Sequence, residues 1–176
     1  EKNYANAKHN GNAQSRKWQF AHNSFSNDPE ANPNVIGSIH RQDCGQISDG
    51  AAVVFLATQE RAKQYAKDHN LTLDDIPYIK GWGHINAPML MAEKLKLSEP
   101  NGLIFPHIKN LFQQTLTRAG LNSLSDVGGL EVHDCFNITE YMILDHTGLQ
   151  KPGEIWKDIE AGTFTKTGSL PVNASG

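Results

Sequence analysis

Apolar positions fall into three patterns along the chain, and each predicts a different element. Ala51-Ala52-Val53-Val54-Phe55-Leu56-Ala57, after the Asp49-Gly50 turn signal, is a continuous run of small and branched residues, the pattern of a strand buried on both faces. Thr58 stands where it caps a following helix, whose Arg61, Ala62, Tyr65 and Ala66 form one apolar edge before Asn70. Tyr78-Ile79-Lys80-Gly81-Trp82-Gly83 follows Pro77 and predicts a second strand or a bulge. Its Gly-x-Gly is a weak phosphate loop, because no third glycine or helix follows at the needed spacing. The clearest helix opens at Pro106, repeats Ile108, Leu111, Phe112, Thr115, Leu116 and Ala119 at helical spacing, and ends at Gly120.

Gly128 and Gly129 then release the chain into Leu130-Glu131-Val132-His133-Asp134-Cys135-Phe136, a strand-like alternation that runs into an imidazole, a carboxylate and a thiol. Asn137 with Glu140 three residues on has the spacing of a capping box; Ile138, Tyr141 and Met142 face inward, and Gly148 ends that helix. The order strand, helix, strand, helix, strand, helix predicts a mostly parallel α/β layer. Residues 1–40, rich in Asn, Ser, His and Ala and interrupted by Pro29 and Pro33, read as an irregular excursion with one short helix. Proline and glycine punctuate residues 150–168, and Ser169–Asn173 forms a last extended segment.

Composition narrows the classes. The 176 residues carry a net charge of −3, with 38% hydrophobic and 20% charged residues, which is ordinary for a globular chain and gives no general reason to bind nucleic acid or an anionic membrane. No apolar run approaches the ~20 residues that span a bilayer, and the start lacks a secretory apolar region, so an intracellular protein is expected. Two cysteines, Cys44 and Cys135, form no disulfide framework and are expected reduced. The chain starts at Glu1 and stops at Gly176 directly after an extended segment, which reads as part of a longer polypeptide.

His133 sits at the carboxyl end of a predicted strand, where ligands of open α/β sheets gather. A neutral imidazole there can donate a hydrogen bond to a thioester carbonyl, so His133 is an oxyanion-hole candidate. Asp134 and Cys135 are supporting residues, Asp134 by holding a loop or capping the helix. Asn173 and Gly176 suit either a turn or the presentation of amides to a ligand. A metal site is not expected, since paired Cys-x-x-Cys or His-x-x-x-His elements are missing. A cysteine hydrolase using Cys135 or Cys44 needs His133 and Cys135 on one strand face; small residues buried near a strand edge are the plainer reading of each cysteine.

Four segments in order carry a resemblance to the thiolase superfamily, and within it to the sterol-carrier-protein-type thiolases. They are Lys2-Asn3 with Asn12-Ala13-Gln14, then Cys44-Gly45-Gln46-Ile47-Ser48-Asp49-Gly50-Ala51-Ala52, then Glu131–Phe136, and finally Pro171-Val172-Asn173-Ala174-Ser175-Gly176. The resemblance implies an α/β fold of layered α-β-α-β-α type, here incomplete. Residues 1–42 would be the end of a loop region that covers coenzyme A, 43–70 the closing strand and helix of the first thiolase half, and 71–176 a truncated second half.

The resemblance also implies an acyltransferase that moves an acyl group between a 3-ketoacyl-CoA and coenzyme A through a cysteine thioester. His133 would help build the oxyanion hole, and the nucleophile would lie outside these residues, so Cys44 is not that cysteine. It implies coenzyme A as substrate with no further cofactor, a homodimer or homotetramer, and a cytoplasmic, peroxisomal or mitochondrial location. Two other readings stay open. One is a thiolase-fold aldolase subunit or non-catalytic CoA-ester binder, although aldolase relatives tend to carry tyrosine where His133 stands; the other is a scaffold within an oligomer.

Overall fold

The structure is a computed structural model that describes residues 1–13 and 26–176. Its elements are α1 (Lys2–Ala7), the strands β1 (Asn34–Ile36) and β2 (Ile39–His40), and then α2 (Gln59–Asp68), α3 (Met91–Ser98), α4 (Pro106–Ala119), α5 (Asn137–Asp145) and α6 (Trp156–Glu160). The result is mixed α/β, helix-rich with a small sheet. β1 and β2 form an antiparallel hairpin that pairs Asn34 with His40 and Ile36 with Ile39. Two isolated bridges extend the strand pairing, Leu130 with Val172 in parallel and Cys44 with Phe136 antiparallel.

The helices follow their sequence signals. Thr58 Oγ1 accepts the Arg61 N–H at 3.3 Å and starts α2. In α4 all six positions of the apolar stripe are half-buried, whereas Lys109, Asn110, Gln113, Gln114, Thr117 and Arg118 are exposed. Gly81 and Gly83 explain what lies on that stripe. A side chain at Gly81 would overlap the Thr115 carbonyl and Ala119, and one at Gly83 would overlap Leu111 and Thr115. The extended segment 81–85 therefore rests on α4 backbone to backbone, and the two glycines serve close approach, not a phosphate. Arg118 closes over the segment, its guanidinium 3.8 Å from the Trp82 ring centre.

Among the described residues the predicted mostly parallel layer is not formed, since the named sheet is an antiparallel hairpin and the parallel pairing is one isolated bridge, and four local expectations are corrected. The run Ala51–Ala57 forms no ladder, and every residue in it is exposed, Phe55 at 92%. An apolar run without alternation has no solvated face, so it needs a neighbour on each side, and no described residue pairs with it. Tyr78–Gly83 likewise lacks strand pairing, because it packs on a helix instead of a sheet. In α5 the buried positions are Glu140 and Leu144, while Ile138 is exposed. The residue preceding that helix, Phe136, caps it without a side-chain bond, so the Asn137–Glu140 capping box is not formed.

The core is made by the second half of the chain: Leu124, Leu144, Ile155, Phe164, Leu170 and Val172, with Phe112 and Leu116 of α4 packed against them. His146, just beyond α5 and 2% exposed, ties this core to α4, accepting the Phe105 N–H on Nε2 at 2.7 Å. That bond requires an uncharged Nε2. Burial lowers the His146 pKa below its ordinary 6.5, opposed by the Met142 main chain and Asp145 and reinforced by His107. The unfolded chain therefore takes up this proton at higher pH than the folded one, and stability present above about pH 6.5 is lost as the pH falls below it. Urea midpoints measured from pH 8 to pH 5 (about the His titration range) should decline in this way. The His146→Gln variant, whose amide oxygen can still accept from Phe105, should show a flatter profile.

Candidate functional site

Residues 130–135 keep strict alternation: Leu130, Val132 and Asp134 turn inward, while Glu131, His133 and Cys135 are exposed. The pairing that holds this extended segment begins as a single parallel bridge, Leu130 with Val172, outside the named strands. Leu130 N–H donates to Pro171 O and Asn173 N–H donates to Leu130 O, both at 2.9 Å. One step further the partner is a side chain, since Val132 N–H donates to Asn173 Oδ1 at 2.8 Å. Asn173 adopts φ +49°, a left-handed conformation that asparagine tolerates better than most residues. That turn carries the main chain away from the strand and leaves the amide in its place.

Behind the strand sits Glu140, 8% exposed. Its Oε2 accepts from Asn3 Nδ2 at 2.7 Å and from Asn173 Nδ2 at 2.8 Å, and its Oε1 pairs with Lys2 Nζ at 2.9 Å. Lys2 Nζ also donates to Asn3 Oδ1 at 2.6 Å and to Val172 O at 2.8 Å. A buried carboxylate is tolerable only when both oxygens are satisfied and its charge is matched, and here α1 supplies both conditions. Asn3 Nδ2 donates its second hydrogen to Asp134 Oδ2 at 2.9 Å. Burial, then the Glu140 carboxylate, push the Asp134 carboxyl above its ordinary value, with Lys2 and His133 pulling it down.

The same helix braces the 172–176 turn. Asn6 Nδ2 donates to Asn173 O at 2.9 Å, and just past α1 Asn10 Nδ2 donates to Ser175 O at 2.6 Å. Glu131 accepts both the Ser175 N–H at 3.1 Å and its hydroxyl at 2.6 Å. A side chain at Gly176 would overlap Ala7, so only glycine lets the turn approach α1 this closely. On the other edge Gly45 N–H donates to Cys135 O at 2.7 Å, and Asn137 Nδ2 donates to Asp43 Oδ1 at 2.7 Å. Cys44 Sγ points to the His40 carbonyl at 3.4 Å, and burial followed by Asp43 raises its thiol pKa. Cys135 Sγ lies 3.6 Å from Thr139 Oγ1.

Parts of all four sequence segments thus meet here: Lys2 and Asn3, Cys44 and Gly45, Glu131–Phe136, and Val172–Ser175; Gln14 lies outside the described residues. His133 is exposed at the centre of Glu131–Phe136 and makes no hydrogen bond among the described residues, while the residues on either side are pinned. Such an imidazole is free to present an N–H to an oxygen that gains charge. Asp134 takes its bond from the Asn3 side chain instead of capping α5. Asn173 is 4% exposed with both ends of its amide engaged inside the protein, and Gly176 stands at the exposed end of the turn. Sequence reasoning missed Glu140 as the hub. The available signal was its spacing: four residues before Leu144, it occupies the buried stripe of α5 and so demands a cation and amides. Among the described residues no group of three or more His, Cys, Asp or Glu is arranged to hold a metal ion.

Residues 91–176 match the family model described as thiolase C-terminal domain-like. The chain is similar to an acetyl-CoA acetyltransferase of Methanothermobacter thermautotrophicus, 27% identical over 142 residues that cover 81% of this chain and 34% of the relative. It is also similar to sterol carrier protein 2 of Bos taurus, 28% identical over 137 residues, 76% of this chain and 23% of the relative. A steroid side-chain-cleaving aldolase of Thermomonospora curvata is 27% identical over 147 residues, 81% of this chain and 34% of the relative. The chain therefore spans about a third or less of these relatives.

Ionised Asp134 is held against burial and a second carboxylate, so at neutral pH it costs stability. Asp134→Asn keeps an acceptor for Asn3 and should raise the melting temperature at pH 7 by roughly 1–2 °C after allowance for solvent screening. Because the folded-state pKa lies above 3.8, the wild type regains a proton on acidification and the advantage should shrink as the pH falls, which paired thermal melts would read.

Proposed function

We propose that these residues form one wall of a thiolase-type acyltransferase site, in which an acyl group passes between a 3-ketoacyl-CoA and coenzyme A through a cysteine thioester. The observation that carries this reading is His133, an exposed imidazole on a strand whose neighbouring residues are fixed by buried hydrogen bonds. The name of the acetyl-CoA acetyltransferase relative supports the substrate class. His133 Nδ1–H or Nε2–H donates to the thioester oxygen as negative charge develops there, the role of an oxyanion-hole donor. Asn173 shapes the adjoining turn, and Gly176 stands at its exposed end, where the CoA ester would approach. Coenzyme A is a substrate and no further cofactor is required.

The nucleophile is a cysteine other than Cys44 and Cys135. A thiol acts as its thiolate, and the raised pKa of Cys44 works against that form. Cys135 shares the exposed strand face with His133 and serves beside Asp134 as a supporting residue. The working protein is a homodimer or homotetramer in the cytoplasm, a peroxisome or a mitochondrion; no helix among the described residues is long and apolar enough to cross a membrane.

In the full-length protein His133→Ala should lower kcat for thiolysis of acetoacetyl-CoA by ~10²-fold or more; an unchanged kcat removes His133 from the reaction. The aldolase relative motivates a second reading, a carbon–carbon lyase on a steroid side chain. That enzyme would leave acetoacetyl-CoA and longer 3-ketoacyl-CoA esters intact in the same assay.

A further inference from the structure

We propose that Glu140 is the positioning residue of this site, holding His133 through two amides wired from its Oε2 to the residues on either side of the imidazole. One arm runs from Glu140 Oε2 to Asn173 Nδ2 at 2.8 Å and from Asn173 Oδ1 to the Val132 N–H at 2.8 Å. The other runs from the same oxygen to Asn3 Nδ2 at 2.7 Å and from that nitrogen to Asp134 Oδ2 at 2.9 Å. Val132 and Asp134 are the residues before and after His133. The strand is thereby fixed at two points one residue from the imidazole, while the ring itself stays exposed. Lys2 neutralises the hub from the far oxygen at 2.9 Å.

A carboxylate in this position is a poor choice for stability alone, because an apolar residue of similar volume would avoid its desolvation. What a carboxylate supplies is one oxygen that accepts both amide donors while its second oxygen pairs with Lys2, which sets both arms to a common, charge-anchored origin. This proposal rests on the reading of His133 given above, and its test separates the two.

The full-length protein labelled with 13C at histidine Cε1 gives a ring signal for His133 that needs no activity. Glu140→Gln loses the Lys2 pair and one acceptor oxygen, and should shift and broaden that signal while His146, beyond the other end of α5, stays unmoved. With acetoacetyl-CoA, kcat should fall by ~10-fold or more while KM stays within about twofold, since misplacement of the imidazole acts on the reacting geometry. In a His133→Ala background the same substitution should cost nothing further, because the two changes act through one group. Asn3→Ala cuts only the Asp134 arm, should alter the His133 signal in the same direction by less, and carries the test if Glu140→Gln does not fold. A folded variant with an unaltered His133 signal overturns the proposal, as does a full additional loss in the His133→Ala background. If His133→Ala retains full activity while the ring signal still responds to Glu140→Gln, the acyltransfer reading falls and the positioning stands.

Discussion

The arrangement around the central strand depends on one buried charge. Glu140 brings a carboxylate into the protein between α5, the strand at 130–135 and the 172–176 turn, and each of those elements is placed by what that charge requires. Lys2 must come close enough to neutralise it, which docks α1. Asn3 and Asn173 must turn their amides toward it, which fixes the orientation of two further side chains and, through them, of the strand. Had the hub been apolar, Lys2 would lose its counter-ion and Asn3 and Asn173 the acceptor they share, leaving α1 and the turn to their contacts with each other and with the 130–135 segment.

What was legible in the sequence was what local pattern decides. The six-residue stripe of α4, the Thr58 cap of α2 and the alternation through Leu130–Cys135 all survive folding, because periodicity and capping act within one element. The hairpin of β1 and β2 and the helix α3 were not foreseen: β1 and β2 are too short for their alternation to be read. Residues from all four motif segments come together near His133, yet the bonds that wire them left no mark in the sequence. A hydrogen bond between residues 3 and 134 leaves no periodic trace in either segment, and Glu140 looked like a capping residue because it stands at capping-box spacing from Asn137.

The apolar run Ala51–Ala57 shows the opposite failure, where a local pattern is read correctly and the described residues do not satisfy it. Val53, Val54, Phe55 and Leu56 lie open together, and their main-chain donors and acceptors are unpaired by any described strand. The pattern states a requirement for flanking strands, whereas the site at His133 is supported by a core of its own from Leu124 to Val172. The two regions therefore differ in what holds them. One is braced by buried contacts on three elements, and the other has only its sequence to specify its place.

Sequence separation gives the hub a kinetic meaning. Lys2 meets Val172 across 170 positions, and Asn3 meets Asp134 across 131. Contacts of that span form only after the intervening chain has been closed into a loop, whereas α4 and α5 can organise from neighbours. The residues around His133 are therefore pinned only once α1 has docked. The reverse also holds: fraying of the six-residue α1 releases Lys2 and Asn3 together and leaves Glu140 buried without its counter-ion. The geometry around the imidazole is thus coupled to whether one short helix stays docked.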